Sequence, residues 1–87
     1  MSFALELRRS AERELNALPA PIRSRVEDRI AELASAPYAR DALKLRGGRQ
    51  EWRVRVGDYR VLYEIDTLNR RIIITAIRHR REAYRGN

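Results

Sequence analysis

The chain has 87 residues, 44% hydrophobic and 36% charged, enough apolar surface for one small folded domain and too little length for an elaborate multi-part enzyme. It has no cysteine and one histidine, His79, which excludes disulfides, thiolate nucleophiles and metal sites built on Cys or on several His. The formal net charge of +7 is unevenly placed, with seven bases against seven acids in residues 1–43 and twelve bases against five acids in residues 44–87.

A solvated charge shell mixes its signs throughout, so this asymmetry points to a polyanionic or acidic partner for the C-terminal half. The opening residues lack the apolar run of a signal peptide, and the apolar stretch Ile72 to Ile77 is far too short to span a bilayer. The expected location is the cytoplasm, with no membrane association.

In chain order, Phe3, Leu5 and Leu7 alternate with small or polar residues, as in a strand with one buried face. Ser10 is placed to cap a helix carrying Glu12 and Glu14 near its positive end, with Ala11, Leu15 and Leu18 on one side. Pro19-Ala20-Pro21 must interrupt that helix, and Pro21 suits the start of the next. Ile22, Val26, Ile30 and Leu33 then form one apolar stripe at helical spacing.

The period next changes from 3.6 to 2. Trp52, Val54 and Val56 alternate with Arg53 and Arg55, Gly57-Asp58 marks a turn, and Tyr59, Val61, Tyr63 and Ile65 alternate with Arg60, Leu62 and Glu64, which predicts a hairpin. After a second turn at Thr67 to Asn69, Arg71 to Arg78 reads as a central strand covered on both faces. The expected fold is a single α+β domain over residues 1–87, an N-terminal strand and helical hairpin packed on a mainly antiparallel sheet. If Trp52, Val54 and Val56 face the core, Arg53 and Arg55 project from the opposite face, where Arg60 can join them.

Three segments in this order resemble one known family: Lys44-Leu45-Arg46-Gly47-Gly48, then Trp52 through Ile65 with its Gly-Asp-Tyr-Arg turn, then His79-Arg80-Arg81-Glu82-Ala83-Tyr84. They resemble the RelE/ParE superfamily of toxins from bacterial type II toxin–antitoxin pairs, over nearly the whole chain. The resemblance implies a RelE-like, microbial-ribonuclease-like fold and, in the RelE branch, cleavage of mRNA in the ribosomal A site without metal or cofactor. It also implies an antitoxin encoded with the toxin, acidic where it meets the sheet. Carried over by position, the site falls on Arg53, Arg55, Arg60, on Arg78 or Arg80, and on Tyr84. Lys44, Arg46, Arg78 and Arg81 are the accompanying RNA contacts.

Metal-free RNA cleavage needs the 2′-OH to attack the adjacent phosphate, and fixed donors around the phosphoryl oxygens stabilise the charge that builds there. Arg55, Arg60 and Arg80 suit that role. Family members often carry Lys in the strand pair, whereas Arg stays charged and cannot accept a proton. Proton transfer then falls to Tyr84 or to His79, or the chain relies on positioning and charge alone; Tyr84 can alternatively stack on an unpaired base. Two other readings fit the same residues: a ParE-like inhibitor of DNA gyrase without nuclease activity, and a noncatalytic module that binds RNA or the ribosome.

Overall fold

Period-2 alternation in Glu51–Val56 and Tyr59–Asp66 and a continuous apolar run within Arg71–His79 build the middle of a five-stranded sheet, and two stripes at helical spacing cover one side of it. In the computed structural model, which describes residues 2–45 and 51–80, the elements are β1 (Ala4–Leu7), α1 (Arg9–Asn16), α2 (Ala20–Leu33), β2 (Leu43–Lys44), β3 (Glu51–Val56), β4 (Tyr59–Asp66) and β5 (Arg71–His79). The strand order is β1-β5-β4-β3-β2. Only β1 and β5 run parallel. The α+β class and the helical pair ahead of the sheet are as the sequence predicts; β2, two residues at the sheet edge, is an addition.

The core lies between the helices and the sheet. Ala11 and Leu15 of α1 and Val26, Ile30 and Leu33 of α2 meet Val54, Val56, Val61, Tyr63, Ile65, Ile72, Ile74 and Ile77 in one buried cluster. Each fully buried aliphatic chain here contributes about 1.5–3 kcal/mol of transfer free energy. Strand β5 lies between β1 and β4 and is buried on both faces, because Ile73 and Ala76 are also buried outside that cluster.

Two local expectations are corrected. Leu5 is 40% exposed, because β1 is an edge strand from which Leu7 reaches the core, with Phe3 packing on it from just ahead of the strand. Ser10 does not cap α1. The Arg8 N–H is needed to close the β1–β5 pairing on the Ile74 carbonyl at 3.0 Å, and the Arg8 carbonyl accepts the Glu12 N–H at 2.9 Å. Helix α1 therefore starts at Arg9, with Arg8 in the capping position and no side-chain cap.

Tyr63 shows how the long segment between α2 and β3 is fastened. Its buried hydroxyl donates to the Pro37 carbonyl at 2.7 Å, and burial, opposed by Arg29 and assisted by Asp41 and Tyr38, pushes its pKa up to about 12. The native state thus keeps this proton longer than the unfolded chain does. Its contribution to stability is complete below the ordinary tyrosine pKa near 10 and is lost as pH rises toward 12. Tyr63→Phe, which leaves the Pro37 carbonyl unpaired, is expected to cost about 1–2 kcal/mol at neutral pH and to flatten the alkaline loss. Urea midpoints measured on both sides of pH 10 check this.

Candidate functional site

The β3–β4 hairpin closes in two residues, Gly57 and Asp58, between the paired Val56 and Tyr59. Gly57 has φ of 58°, the positive value that a two-residue hairpin turn demands at its first position and that side chains resist. A Cβ there would meet nothing nearer than 3.7 Å. Gly57→Ala is therefore expected to cost about 1–2 kcal/mol from backbone conformation alone, seen as a lower urea midpoint with an unchanged slope.

With Val54, Val56 and Val61 buried against the helices, alternation turns Arg53, Arg55 and Arg60 to the other face. Register then aligns them: Arg55 pairs with Arg60 on β4, and Arg60 pairs with Arg78 on β5. Strands lie about 4.8 Å apart, so three guanidinium stems stand side by side. Like charges directly opposite each other destabilise a sheet. Such a row is an arrangement that binding of an anion would relieve.

The chain leaving β5 completes the site. The Arg80 N–H donates to the Asp58 carbonyl at 2.7 Å, fixing Arg80 against the hairpin tip, and its Nη1 stands 4.0 Å from Asp58 Oδ1. Arg55, Gly57, Asp58, Tyr59, Arg60 and Arg80 line one concavity of about 170 Å³. Three of the arginines expected to hold a phosphoryl group are thus brought together from β3, β4 and the segment after β5. Several anchored donors around one hollow can stabilise charge developing on a phosphate, and the rigid strands hold them without reorganisation.

Other candidates are placed elsewhere. Arg53 is one row further from the tip, opposite Leu62 and Leu43. Arg78 shares the register row with Arg60, but its Nη1 donates to Glu14 Oε2 of α1, so its charge is partly compensated. His79 pairs in register with Tyr59 and packs edge-on against that ring, 5.2 Å between centroids, which puts it on the helix side of the sheet and away from the arginine row. Lys44 pairs with Trp52 on the short edge strand β2, also away from that row. Arg46, Arg81 and Tyr84, with Gly47 and Gly48, lie outside the described residues.

Sequence reasoning missed Glu14. Besides receiving Arg78, its Oε1 accepts the Ile77 N–H at 2.8 Å, serving the stretch of β5 that extends beyond the β1 pairing. No local pattern announces a contact between residues 63 positions apart. At the far end of the sheet, Asp66 accepts from Asn69 and from Arg71 Nε, and these bonds, those from Asn69 foremost, hold its carboxyl at about 2. Arg71 also reaches Glu6 at 2.9 Å. These bonds tie the β4–β5 turn and β1 together, remote from the hairpin tip.

Comparison with known proteins agrees with this architecture. The model of the ParE toxin of the type II toxin–antitoxin system parDE matches residues 5–84. A Methanocaldococcus jannaschii protein provisionally named toxin RelE1 is 31% identical over 89 residues, spanning 99% of each chain. Among solved structures, the toxin–antitoxin complex RelBE2 of Mycobacterium tuberculosis superposes with a TM-score of 0.81 at 27% identity, covering 91% of this chain and 99% of that one. The archaeal RelE–RelB complex of Pyrococcus horikoshii OT3 gives a TM-score of 0.81 at 27% identity, covering 92% and 97%. With a matching family model along most of its length and a full-length relative that carries the RelE name, the chain belongs to the RelE/ParE family of type II toxin–antitoxin toxins.

Proposed function

We propose that this toxin is a metal-independent endoribonuclease that cuts mRNA on the ribosome and so inhibits translation. The observation that carries the reading is the concavity at the hairpin tip, where Arg55, Arg60 and Arg80 converge. In the reaction the 2′-oxygen forms a bond to the adjacent phosphorus and the bond from phosphorus to the 5′-oxygen breaks. The products are a 2′,3′-cyclic phosphate and a free 5′-hydroxyl, the proton leaving the 2′-OH and one being gained by the 5′-oxygen. Arg60, central in its row, faces the phosphoryl oxygens; Arg55 and Arg80 flank it, and Arg53 and Arg78 extend the positive surface. Positioning of substrate, beyond the means of an 87-residue chain, is left to the ribosome.

No arginine can take the 2′ proton. With His79 packed edge-on against Tyr59 at the helix side, Tyr84 is the better acceptor. In pH–rate profiles run in parallel, Tyr84→Phe is expected to lose the larger part of the rate and His79→Gln the smaller. A reversal of that order assigns the proton to His79.

The partner that silences the toxin is a cognate antitoxin with an acidic contact segment; the M. tuberculosis and P. horikoshii relatives were solved as complexes with their antitoxins. Primer extension on mRNA bound to programmed ribosomes tests the enzyme directly. Defined stops are expected, and intact mRNA with the toxin demonstrably bound would refute the activity. The match to a model named for ParE favours a second reading, inhibition of DNA gyrase by protein contact. Lost supercoiling activity without mRNA cleavage selects it.

A further inference from the structure

Two rows of opposite charge cross the sheet face that turns away from the helices. Near the hairpin tip runs Arg55, Arg60 and Arg78; further back, Glu51 pairs with Glu64, and Glu64 and Glu6 flank Ile73 from either side. Glu64 lies four residues from Arg60 along β4, about 13 Å at the rise of a strand. Lengthwise along β4 from Arg60 come Leu62 and then Glu64, whose Oε1 stands 3.6 Å from Arg8 Nη2, while Glu6 is held by Arg71. A polyanion in that direction meets carboxylates already paired with arginines. Laid across the strands it follows guanidinium groups.

The ends of the arginine row differ. At β5 it is closed by Glu14, which takes the guanidinium of Arg78. At β3 it continues onto α2. Arg25 there is exposed, and its Nη1 and Nη2 stand 3.7 and 3.9 Å from the point where a Cβ on Gly57 would lie. Arg25 and Arg55 line a common groove between α2 and the hairpin, of about 340 Å³, together with Asp28, Arg29 and Glu32. Arg29 is engaged by Glu32 and Asp41. Gly57, without a side chain, leaves bare backbone at the passage from Arg55 to Arg25.

We infer that the RNA strand crosses the sheet at right angles to its strands and passes from Arg60 and Arg55 over Gly57 onto Arg25, so that α2 supplies a phosphate contact beyond the cleavage site. The inference rests on the ribonuclease reading and deepens it, because it adds a substrate-binding residue from the half of the chain with no net charge. Arg25 contributes to binding and not to the chemical step.

The test is binding of a single-stranded 2′-O-methyl oligonucleotide, which lacks the attacking hydroxyl, between about 50 and about 200 mM salt. Arg25→Gln is compared with Arg13→Gln, which removes the same charge from exposed α1. Losing one phosphate contact should shrink the slope of log affinity against log salt by about 0.7, with affinity about three- to tenfold lower at the low-salt end. Arg13→Gln should keep the wild-type slope, and Glu64→Gln, on the lengthwise path, should leave affinity at about 0.2 M salt within about twofold, since ~13 Å then exceeds the screening length. On ribosome-bound mRNA, Arg25→Gln should raise the concentration for half-maximal cleavage and keep the plateau rate. An unchanged slope in Arg25→Gln, or markedly tighter binding by Glu64→Gln, overturns the crossing path and leaves the ribonuclease reading standing. The expected slopes without cleavage by the wild type overturn the ribonuclease and keep the path; no binding of the free oligonucleotide by the wild type overturns the path, while cleavage on programmed ribosomes decides the ribonuclease separately.

Discussion

Arg60→Ala is expected to reduce ribosome-dependent mRNA cleavage by about 10²–10³-fold while the protein remains folded. That size is what removal of one preorganised donor from a developing oxyanion costs in other enzymes. Arg60 is the natural choice because it stands in the middle of its row, paired with Arg55 on one side and Arg78 on the other, and lines the concavity with Arg55 and Arg80. Arg60 projects from the sheet face opposite the buried Val54, Val56 and Val61, so its removal should leave the core intact and the protein folded at both low and high salt. Single-turnover cleavage on saturated ribosomes, together with thermal melts at two salt concentrations, measures both effects. A variant that melts far below the wild type and loses activity would make Arg60 a structural residue. A variant that is folded and cuts at the wild-type rate would remove the hairpin concavity from the reaction.

The parts of this arrangement that follow from local pattern were legible in the residues. Alternation from Trp52 to Ile65 around Gly57-Asp58 predicts the hairpin and the face on which Arg53, Arg55 and Arg60 stand, because the side-chain period of a strand is fixed at two. The stripe Ile22, Val26, Ile30 and Leu33 predicts the buried face of α2 in the same way. Edge strand β2 has two residues, too few to show any period. The face of His79 was hidden by a bulge. The register passes from Leu62 opposite Ala76 to Tyr63 opposite Ile74, leaving Thr75 as the extra residue, with its hydroxyl on the Leu62 carbonyl at 3.2 Å. Counting by twos from Ile72 would turn Arg78 to the core and His79 to the arginine face. The bulge reverses both, and the continuous apolar run of β5 gives no alternation from which to detect it.

Contacts between distant segments were equally invisible, and the most consequential is Glu14. It sits in the last turn of α1, which begins at Arg9 and not after Ser10, where the helix dipole disfavours an acid, yet its two oxygens take the Ile77 N–H and the Arg78 guanidinium. Strand β1 pairs with β5 only as far as Ile74, so beyond that point the β5 edge needs another acceptor. Glu14 supplies it, and it thereby anchors the stretch that leads directly to Arg80 and its bond to Asp58. Glu14→Ala removes a charged acceptor and leaves the N–H of buried Ile77 unpaired, an expected loss of about 2–3 kcal/mol. In a domain of this size that lowers the melting temperature by about 8–24 °C. Glu14→Gln keeps an oxygen for the Ile77 N–H and gives up the ion pair, so it should recover more than half of that loss. The same pair of variants separates anchoring from simple stability. If Glu14 positions Arg80 through β5, cleavage at a temperature where both variants are folded should fall about tenfold in Glu14→Ala, and much less in Glu14→Gln. Equal cleavage by wild type and Glu14→Ala at that temperature would confine Glu14 to the stability of the fold, and the hairpin tip would then hold Arg80 by the Asp58 carbonyl alone.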